Sequence, residues 1–132
     1  MISPTGKGPR GYDKQGSGAY RAPRGKRLHA GVDYVCEPGQ QVVAPIAGTI
    51  TRKARPYAQG KWSGCVITGP RVTVKMFYFK LGAGMVGRTV AQGDVIGVAQ
   101  DIGEKYTGIT PHVHLQVEAV DPGLLMEHGE EG

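Results

Sequence analysis

Hydrophobic and polar positions alternate over short distances in most of this chain. Six runs rich in β-branched and aromatic residues stand out, at residues 41–44, 49–52, 65–68, 72–79, 95–99 and 114–117. Turn-forming residues, drawn from 22 glycines and 9 prolines, separate these runs. Short strands punctuated by turns are typical of antiparallel sheet proteins. The pattern therefore predicts a mostly β protein with a compact antiparallel β-sheet fold.

Two parts of this pattern bear on where functional residues lie. Residues 72–79 alternate imperfectly but are the best candidate for a central strand, and residues 101–106 predict one helical turn or a loop. That loop precedes a strand expected to start at His114, whereas His29 and Asp33 are expected where a loop enters the sheet. A rigid sheet is a suitable platform for fixing such side chains.

Three of the four histidines fall into two short patterns that are typical of metal sites. His29 stands four residues before Asp33, and His112 stands two residues before His114. Imidazole and carboxylate groups suit Zn²⁺, and a catalytic zinc typically has three protein ligands and one open position. Because residues two apart in a strand point to the same face, His112 and His114 are expected to project together. One of them can then bind metal while its neighbour handles protons.

The ordered series of motifs resembles the lysostaphin-type (LytM-like) zinc metallopeptidase family, and the likeness runs from about Arg27 to Pro122. It includes His-Ala-Gly-Val-Asp at 29–33, Gly-Asp-Val-Ile-Gly at 93–97 and His-Val-His at 112–114. The resemblance implies the barrel-sandwich-like β fold of these peptidases. It also implies hydrolysis of peptide cross-links in bacterial cell-wall peptidoglycan.

The resemblance further implies a role for each motif residue. His29, Asp33 and His114 would be the zinc ligands, and His112 would be the general base that activates water. Zn²⁺ is therefore the expected cofactor.

The chain departs from the family on the predicted central strand. Active members usually carry Tyr-x-His-Leu there, and this chain has Tyr-Phe-Lys-Leu at 78–81. Lys80 thus stands where a histidine is expected to stabilise the oxyanion, and either its cation or Tyr78 can take over that role. Lys80 cannot accept a proton at neutral pH unless its pKa is strongly depressed. The alternative is that Lys80 is a solvated residue at a strand end.

The sequence also resembles the vertebrate leukocyte cell-derived chemotaxin 2 proteins, at residues 56–57, 74–80 and 106–114. Those secreted proteins share the fold and zinc site but are regarded as binding proteins without peptidase activity. Only Cys36 matches a cysteine of their disulfide framework, which favours a bacterial or phage homologue because small secreted domains usually retain such bridges. A catalytically inactive zinc-binding recognition module is therefore the second candidate function.

A third candidate is a lipoyl or biotinyl carrier domain, whose hairpins resemble residues 43–50 and 93–97. A carrier needs its modified lysine on an exposed hairpin tip. Lys75 instead lies within an apolar run, and a carrier has no use for the histidines. The zinc-site candidates are therefore favoured.

Charge divides the chain into three parts. Residues 1–26 form a basic, Gly-rich arm, residues 27–124 the peptidase-like domain and residues 125–132 an acidic tail. The chain has 16 Lys and Arg against 11 Asp and Glu, a net charge of +5. We expect the arm to be solvated and to wrap around the domain. Its charge favours peptidoglycan peptides or another anionic cell-wall polymer as partner, and its lack of interleaved aromatic residues disfavours nucleic acid.

Length and hydropathy set the remaining expectations. A chain of 132 residues suits one domain, and we expect a monomer. No stretch is apolar enough for a membrane span or a signal peptide. Synthesis in the cytoplasm is therefore expected, with action at the bacterial cell wall or periplasm if the protein is phage-encoded. Cys36 and Cys65 are expected to be free thiols, as in a reducing compartment.

Overall fold

Antiparallel strands form nearly all of the regular structure in the computed structural model of this protein. The structure describes residues 1–10 and 31–120 in full, together with the backbone of four two-residue strands between them. These four strands pair as two short hairpins, β1 (Tyr12–Asp13) with β2 (Gly16–Ser17) and β3 (Pro23–Arg24) with β4 (Arg27–Leu28).

Nine further strands make up the domain. They are β5 (Gly31–Val35), β6 (Gln41–Val43), β7 (Gly48–Ala54), β8 (Gly64–Thr68), β9 (Val72–Phe77), β10 (Phe79–Leu81), β11 (Thr89–Val90), β12 (Val95–Ala99) and β13 (His112–Val120). Six of them form the larger sheet in the order β11-β7-β8-β9-β13-β5, and three form the smaller sheet in the order β10-β12-β6. A short 3-10 helix (Ile102–Glu104) precedes β13.

The hydrophobic core contains side chains from both sheets. Ile67 and Met76 of the larger sheet belong to the same buried cluster as Val42, Phe79 and Ile96 of the smaller sheet. Burial of this kind is the dominant favourable contribution to folding. The mostly β fold predicted from the alternating pattern is confirmed, and no helix in the described part of the chain is long and apolar enough to cross a membrane.

The structure differs from the expected strands at the points that matter for function. The run predicted over residues 72–79 is broken at Tyr78, where φ is +77° and the chain passes from the larger to the smaller sheet. Asp33 lies in the middle of β5 rather than where a loop enters the sheet. The last strand begins at His112, two residues earlier than expected, so both histidines belong to it.

The N-terminal segment (residues 1–10) is bonded to the edges of both sheets. Thr5 Oγ1 donates a hydrogen bond of 2.7 Å to the Val35 carbonyl at the end of β5, and the Val43 amide of β6 donates one of 2.9 Å to the Pro4 carbonyl. Pro4 is fully buried and Arg10 is 2% exposed. This part of the predicted arm is therefore packed on the domain rather than solvated, because it pairs backbone groups at two sheet edges that would otherwise be exposed.

Candidate metal centre

Three adjacent strands place Phe77, His114 and Asp33 in one row. In β13, His114 lies directly opposite Asp33 of β5 on one side and opposite Phe77 of β9 on the other. Side chains at directly opposed positions of an antiparallel pair share a face and lie close together. The Phe77 ring accordingly stacks on the His114 ring, with centroids 5.9 Å apart and planes 15° from parallel. The strand register thus fixes His114 between an aromatic ring and a carboxylate.

Both ring nitrogens of His114 have polar neighbours. Nε2 lies 2.9 Å from Oε1 of Gln116, whose amide nitrogen in turn donates to Glu118. Nδ1 lies 2.6 Å from Oδ1 of Asp33. This is the distance of a hydrogen bond, so a proton lies between Nδ1 and Oδ1; imidazole and carboxylate are also donor types that zinc takes.

His112 lies on the same face, two residues before His114, and is 3% exposed. Its Nδ1 lies 2.8 Å from the Thr110 carbonyl oxygen, to which it can only donate, so the neutral ring presents an unprotonated Nε2. That Nε2 lies 3.7 Å from Oδ2 of Asp33. Burial lowers the pKa of His112, although the Asp33 carboxylate acts in the opposite direction. A neutral imidazole beside the predicted metal ligands is suited to accept a proton.

Arg10 is the residue of this centre that sequence analysis missed. Its Nε and Nη2 donate to Oδ2 of Asp33 over 3.3 and 3.0 Å, and its backbone amide donates to the Asp33 carbonyl over 2.5 Å. Both side chains are buried, at 2% and 4% exposure. No local pattern identifies such a residue, because 23 positions separate Arg10 from Asp33 along the chain. The N-terminal segment is therefore part of the centre.

Tyr78 faces His112 from the junction between the sheets. The two rings meet edge to face, with centroids 5.2 Å apart. The φ of Tyr78, +77°, is unfavourable for a bulky residue and breaks the alternation of side chains along the strand. As a result, two consecutive residues contact the two histidines: Phe77 contacts His114, and Tyr78 contacts His112. Strain of this kind is concentrated at functional sites. Tyr78 thus lies against His112, and its catalytic role stays a prediction.

Three tyrosine hydroxyls meet beside His112. The Tyr57 hydroxyl lies 3.1 Å from that of Tyr78 and 2.7 Å from that of Tyr106. Burial, as the largest cause, raises the pKa of Tyr57 to about 12, so its hydroxyl keeps its proton at neutral pH. Lys105 lies over the Tyr57 ring at 4.5 Å. The hydrogen bonds hold Tyr78 in place and give this side of the centre a polar aromatic wall.

Lys80 occupies a different environment from Tyr78. It is exposed on β10 of the smaller sheet, opposite Val98 of β12, while its neighbours Phe79 and Leu81 are buried in the core. Its placement is that of an exposed strand residue, and its catalytic role stays a prediction.

The described residues supply two of the three predicted zinc ligands. Asp33 and His114 are in contact, whereas His29 lies outside the described residues and stays a prediction. Within residues 1–10 and 31–120, no three His, Cys, Asp or Glu side chains are grouped to hold one metal ion. The donor types of Asp33 and His114 nevertheless suit zinc.

Comparison with known proteins agrees with this arrangement. The model of Peptidase family M23 matches residues 27–123, which include both histidine motifs and the sheet that carries them. The chain belongs to Peptidase family M23. The lysostaphin-type fold expected from the sequence is therefore confirmed.

Relatives of two kinds are similar to this member of the family. Leukocyte cell-derived chemotaxin-2 from Bos taurus is 31% identical, over 96% of this chain and 93% of its own. The Mus musculus protein of the same name is 33% identical, over 83% of this chain and 74% of its own. The catalytic domain of the antimicrobial peptidase lysostaphin from Staphylococcus simulans has a similar structure, with a TM-score of 0.56 and 25% identity over 80% of this chain and 81% of that one.

Proposed function

We propose that this protein is a zinc-dependent endopeptidase that hydrolyses peptide cross-links of bacterial peptidoglycan. The observation that supports this most is the placement of His112, a buried imidazole with Nε2 directed at the carboxylate that His114 also contacts. A general base must lie within reach of the reacting water, and His112 lies next to the predicted ligands. When bound, zinc would polarise the scissile carbonyl and make a nearby water a stronger acid.

The residues of this chain would divide the remaining work. Asp33 and His114, with His29 as the predicted third ligand, would hold the metal. His112 Nε2 would accept a proton from the attacking water and return it to the departing amine. The Tyr78 hydroxyl, held by Tyr57, would donate a hydrogen bond to the oxyanion.

The family resemblance supports a proposal for the substrate and the place of action. Lysostaphin, whose catalytic domain has a fold similar to that of this chain, is an antimicrobial peptidase. A net charge of +5 favours an anionic polymer such as the cell wall. We propose that the protein acts at the bacterial cell wall or periplasm and is encoded by a bacterium, phage or prophage.

A zinc-binding recognition module is the second candidate. It is favoured by the exposed Lys80, which stands where active family members usually carry histidine, and by the two chemotaxin relatives that cover most of the chain. In that case the zinc centre would stabilise a binding surface and no bond would be cleaved.

The two candidates are separated by incubating the protein with purified peptidoglycan from walls with glycine cross-bridges and from walls with direct cross-links. An endopeptidase releases new free amino groups, loses this activity in a chelator and regains it with added zinc. His112→Ala is the matched inert control. If the protein releases no amino groups from either type of peptidoglycan but sediments together with it, the protein is a recognition module.

A further inference from the structure

The N-terminal segment places a buried cation on one oxygen of a predicted metal ligand. Asp33 presents two carboxylate oxygens to different partners: Oδ2 accepts from Nε and Nη2 of Arg10, and Oδ1 contacts Nδ1 of His114. Nothing in the family motifs that identify the centre includes a residue of this segment.

We propose that Arg10 is a positioning residue of the metal centre, holding Oδ2 of Asp33 so that only Oδ1 faces the ligand position beside His114. This inference rests on the proposed zinc site. A carboxylate that is free to rotate can offer both oxygens to a metal ion, whereas one fixed by two charge-assisted hydrogen bonds can offer one. Arg10 would thus keep Asp33 a one-oxygen ligand and leave room for water at the open position.

The attachment of Arg10 supports this role. Its backbone amide bonds to the Asp33 carbonyl, and the Val35 amide donates to the Gly8 carbonyl over 2.9 Å, so the chain on both sides of Pro9 is fixed to β5. With 2% exposure, the guanidinium has little freedom to leave the carboxylate. A surface ion pair would not give this degree of orientation.

Two effects of the guanidinium on metal binding oppose each other. Its positive charge repels a divalent ion, and its hydrogen bonds orient the ligand. We expect orientation to prevail because Nε and Nη2 of Arg10 donate to Oδ2, the Asp33 oxygen that does not contact His114, so metal binding at Oδ1 does not require these hydrogen bonds to break. Loss of a partner that orients a ligand typically costs roughly tenfold to a hundredfold in metal affinity.

The test is zinc affinity measured by competition with a chromophoric chelator on the full chain. We expect Arg10→Met to weaken zinc binding by about tenfold to a hundredfold. Arg10→Lys retains a charged donor without the planar fork, so it should weaken binding less. Lys7→Met is the matched control, since Lys7 is a cation of the same segment that bonds to Gln40 instead, and its zinc affinity should equal that of wild type.

A second readout reports the ligand geometry directly. In the cobalt-substituted protein, visible absorption is intense for four-coordinate Co²⁺ and weaker when a second carboxylate oxygen raises the coordination number. Arg10→Met should therefore lose absorption intensity at saturating Co²⁺, and Arg10→Lys should regain part of it. Circular dichroism of the same samples establishes that the variants are folded.

Unchanged or tighter zinc binding in folded Arg10→Met would overturn the inference and show that charge repulsion prevails or that Arg10 is only structural. Should Arg10→Met fail to fold, Arg10→Lys decides alone, because wild-type affinity and an unchanged Co²⁺ spectrum would contradict the role. Absence of zinc binding by the wild-type protein would overturn the metal centre itself, and the inference with it.

Discussion

The two histidines of β13 differ in what their Nδ1 atoms contact. His114 Nδ1 contacts the Asp33 carboxylate, while His112 Nδ1 bonds to a backbone carbonyl and leaves Nε2 for proton transfer. The sequence motif places both on one face but does not distinguish them, because alternation alone gives both side chains the same direction. The roles implied by family resemblance are consistent with these contacts.

Single substitutions of the two histidines should therefore have different effects. His114→Ala or Asp33→Ala should remove zinc, because each deletes a ligand. His112→Ala should keep most of the zinc and lower peptidoglycan hydrolysis by about a hundredfold to ten-thousandfold, the usual contribution of a general base. Elemental analysis and hydrolysis rates on the same preparations measure both. Equal zinc loss in His112→Ala and His114→Ala would show that the pair is misassigned.

Lys80 is the residue that best distinguishes the two candidate functions, endopeptidase and recognition module. If Lys80 is an oxyanion-stabilising cation, it contributes to the transition state alone, and Lys80→Ala lowers turnover about a hundredfold while zinc content is unchanged. Lys80→His recreates the family's usual residue and should restore activity or raise it. Lys53→Ala, another exposed strand lysine, is the control.

The outcomes for Lys80 are distinct. Full activity of Lys80→Ala would show that it is an ordinary exposed strand residue, as its place opposite Val98 indicates, and would leave Tyr78 as the oxyanion donor. An inert wild type whose Lys80→His variant gains activity would favour the recognition module.

At the scale of strands, the close backbone contact between β8 and β9 helps to fix the register of the residues around the candidate site. Gly64 of β8 pairs with Phe77 of β9, and a Cβ at this glycine would be 1.8 Å from the carbonyl oxygen of Met76. No side chain fits without separating the two strands. Phe77 itself stacks on His114, so this pairing also determines where the aromatic side of the candidate metal centre lies.

Gly64→Ala should consequently destabilise the fold by about 1–3 kcal/mol or more, the usual cost of overpacking. Denaturant unfolding monitored by circular dichroism measures this as a lower midpoint. Gly8→Ala is the control, because a Cβ at Gly8 has no atom within 4 Å, and its midpoint should match wild type. Equal midpoints for both variants would mean that β8 and β9 can separate at little cost.

Local pattern predicted several strands of the domain but missed β5, which carries Asp33, and could not predict the contacts between distant parts of the chain. Residues 95–99 were predicted correctly as a strand because their β-branched residues lie between turn signals, and β12 has those bounds. The break at Tyr78 has no local signal, since a tyrosine with positive φ is held by its surroundings rather than by its own preference. Arg10 could not be assigned either, because its partner is determined by tertiary packing.

At the scale of the whole molecule, the proposed metal centre joins parts of the chain that are far apart. Asp33 on β5 and His114 on β13 are 81 positions apart, and Arg10 adds the N-terminal segment to the same point. These partners are separated in the unfolded chain, so an ion that binds them together binds the folded state almost alone. Metal binding is then linked to folding.

Zinc should therefore raise the thermal stability of the protein. At a free zinc concentration 100 times the dissociation constant, linkage adds about 2.7 kcal/mol to the free energy of unfolding. For a domain of this size that corresponds to a rise in Tm on the order of 10 °C. Differential scanning calorimetry with zinc and with excess chelator measures the shift, and Asp33→Ala, which lacks a ligand, should show little of it. A wild-type Tm that is the same in zinc and in chelator would contradict a metal centre that connects β5 to β13, whatever activity the protein has.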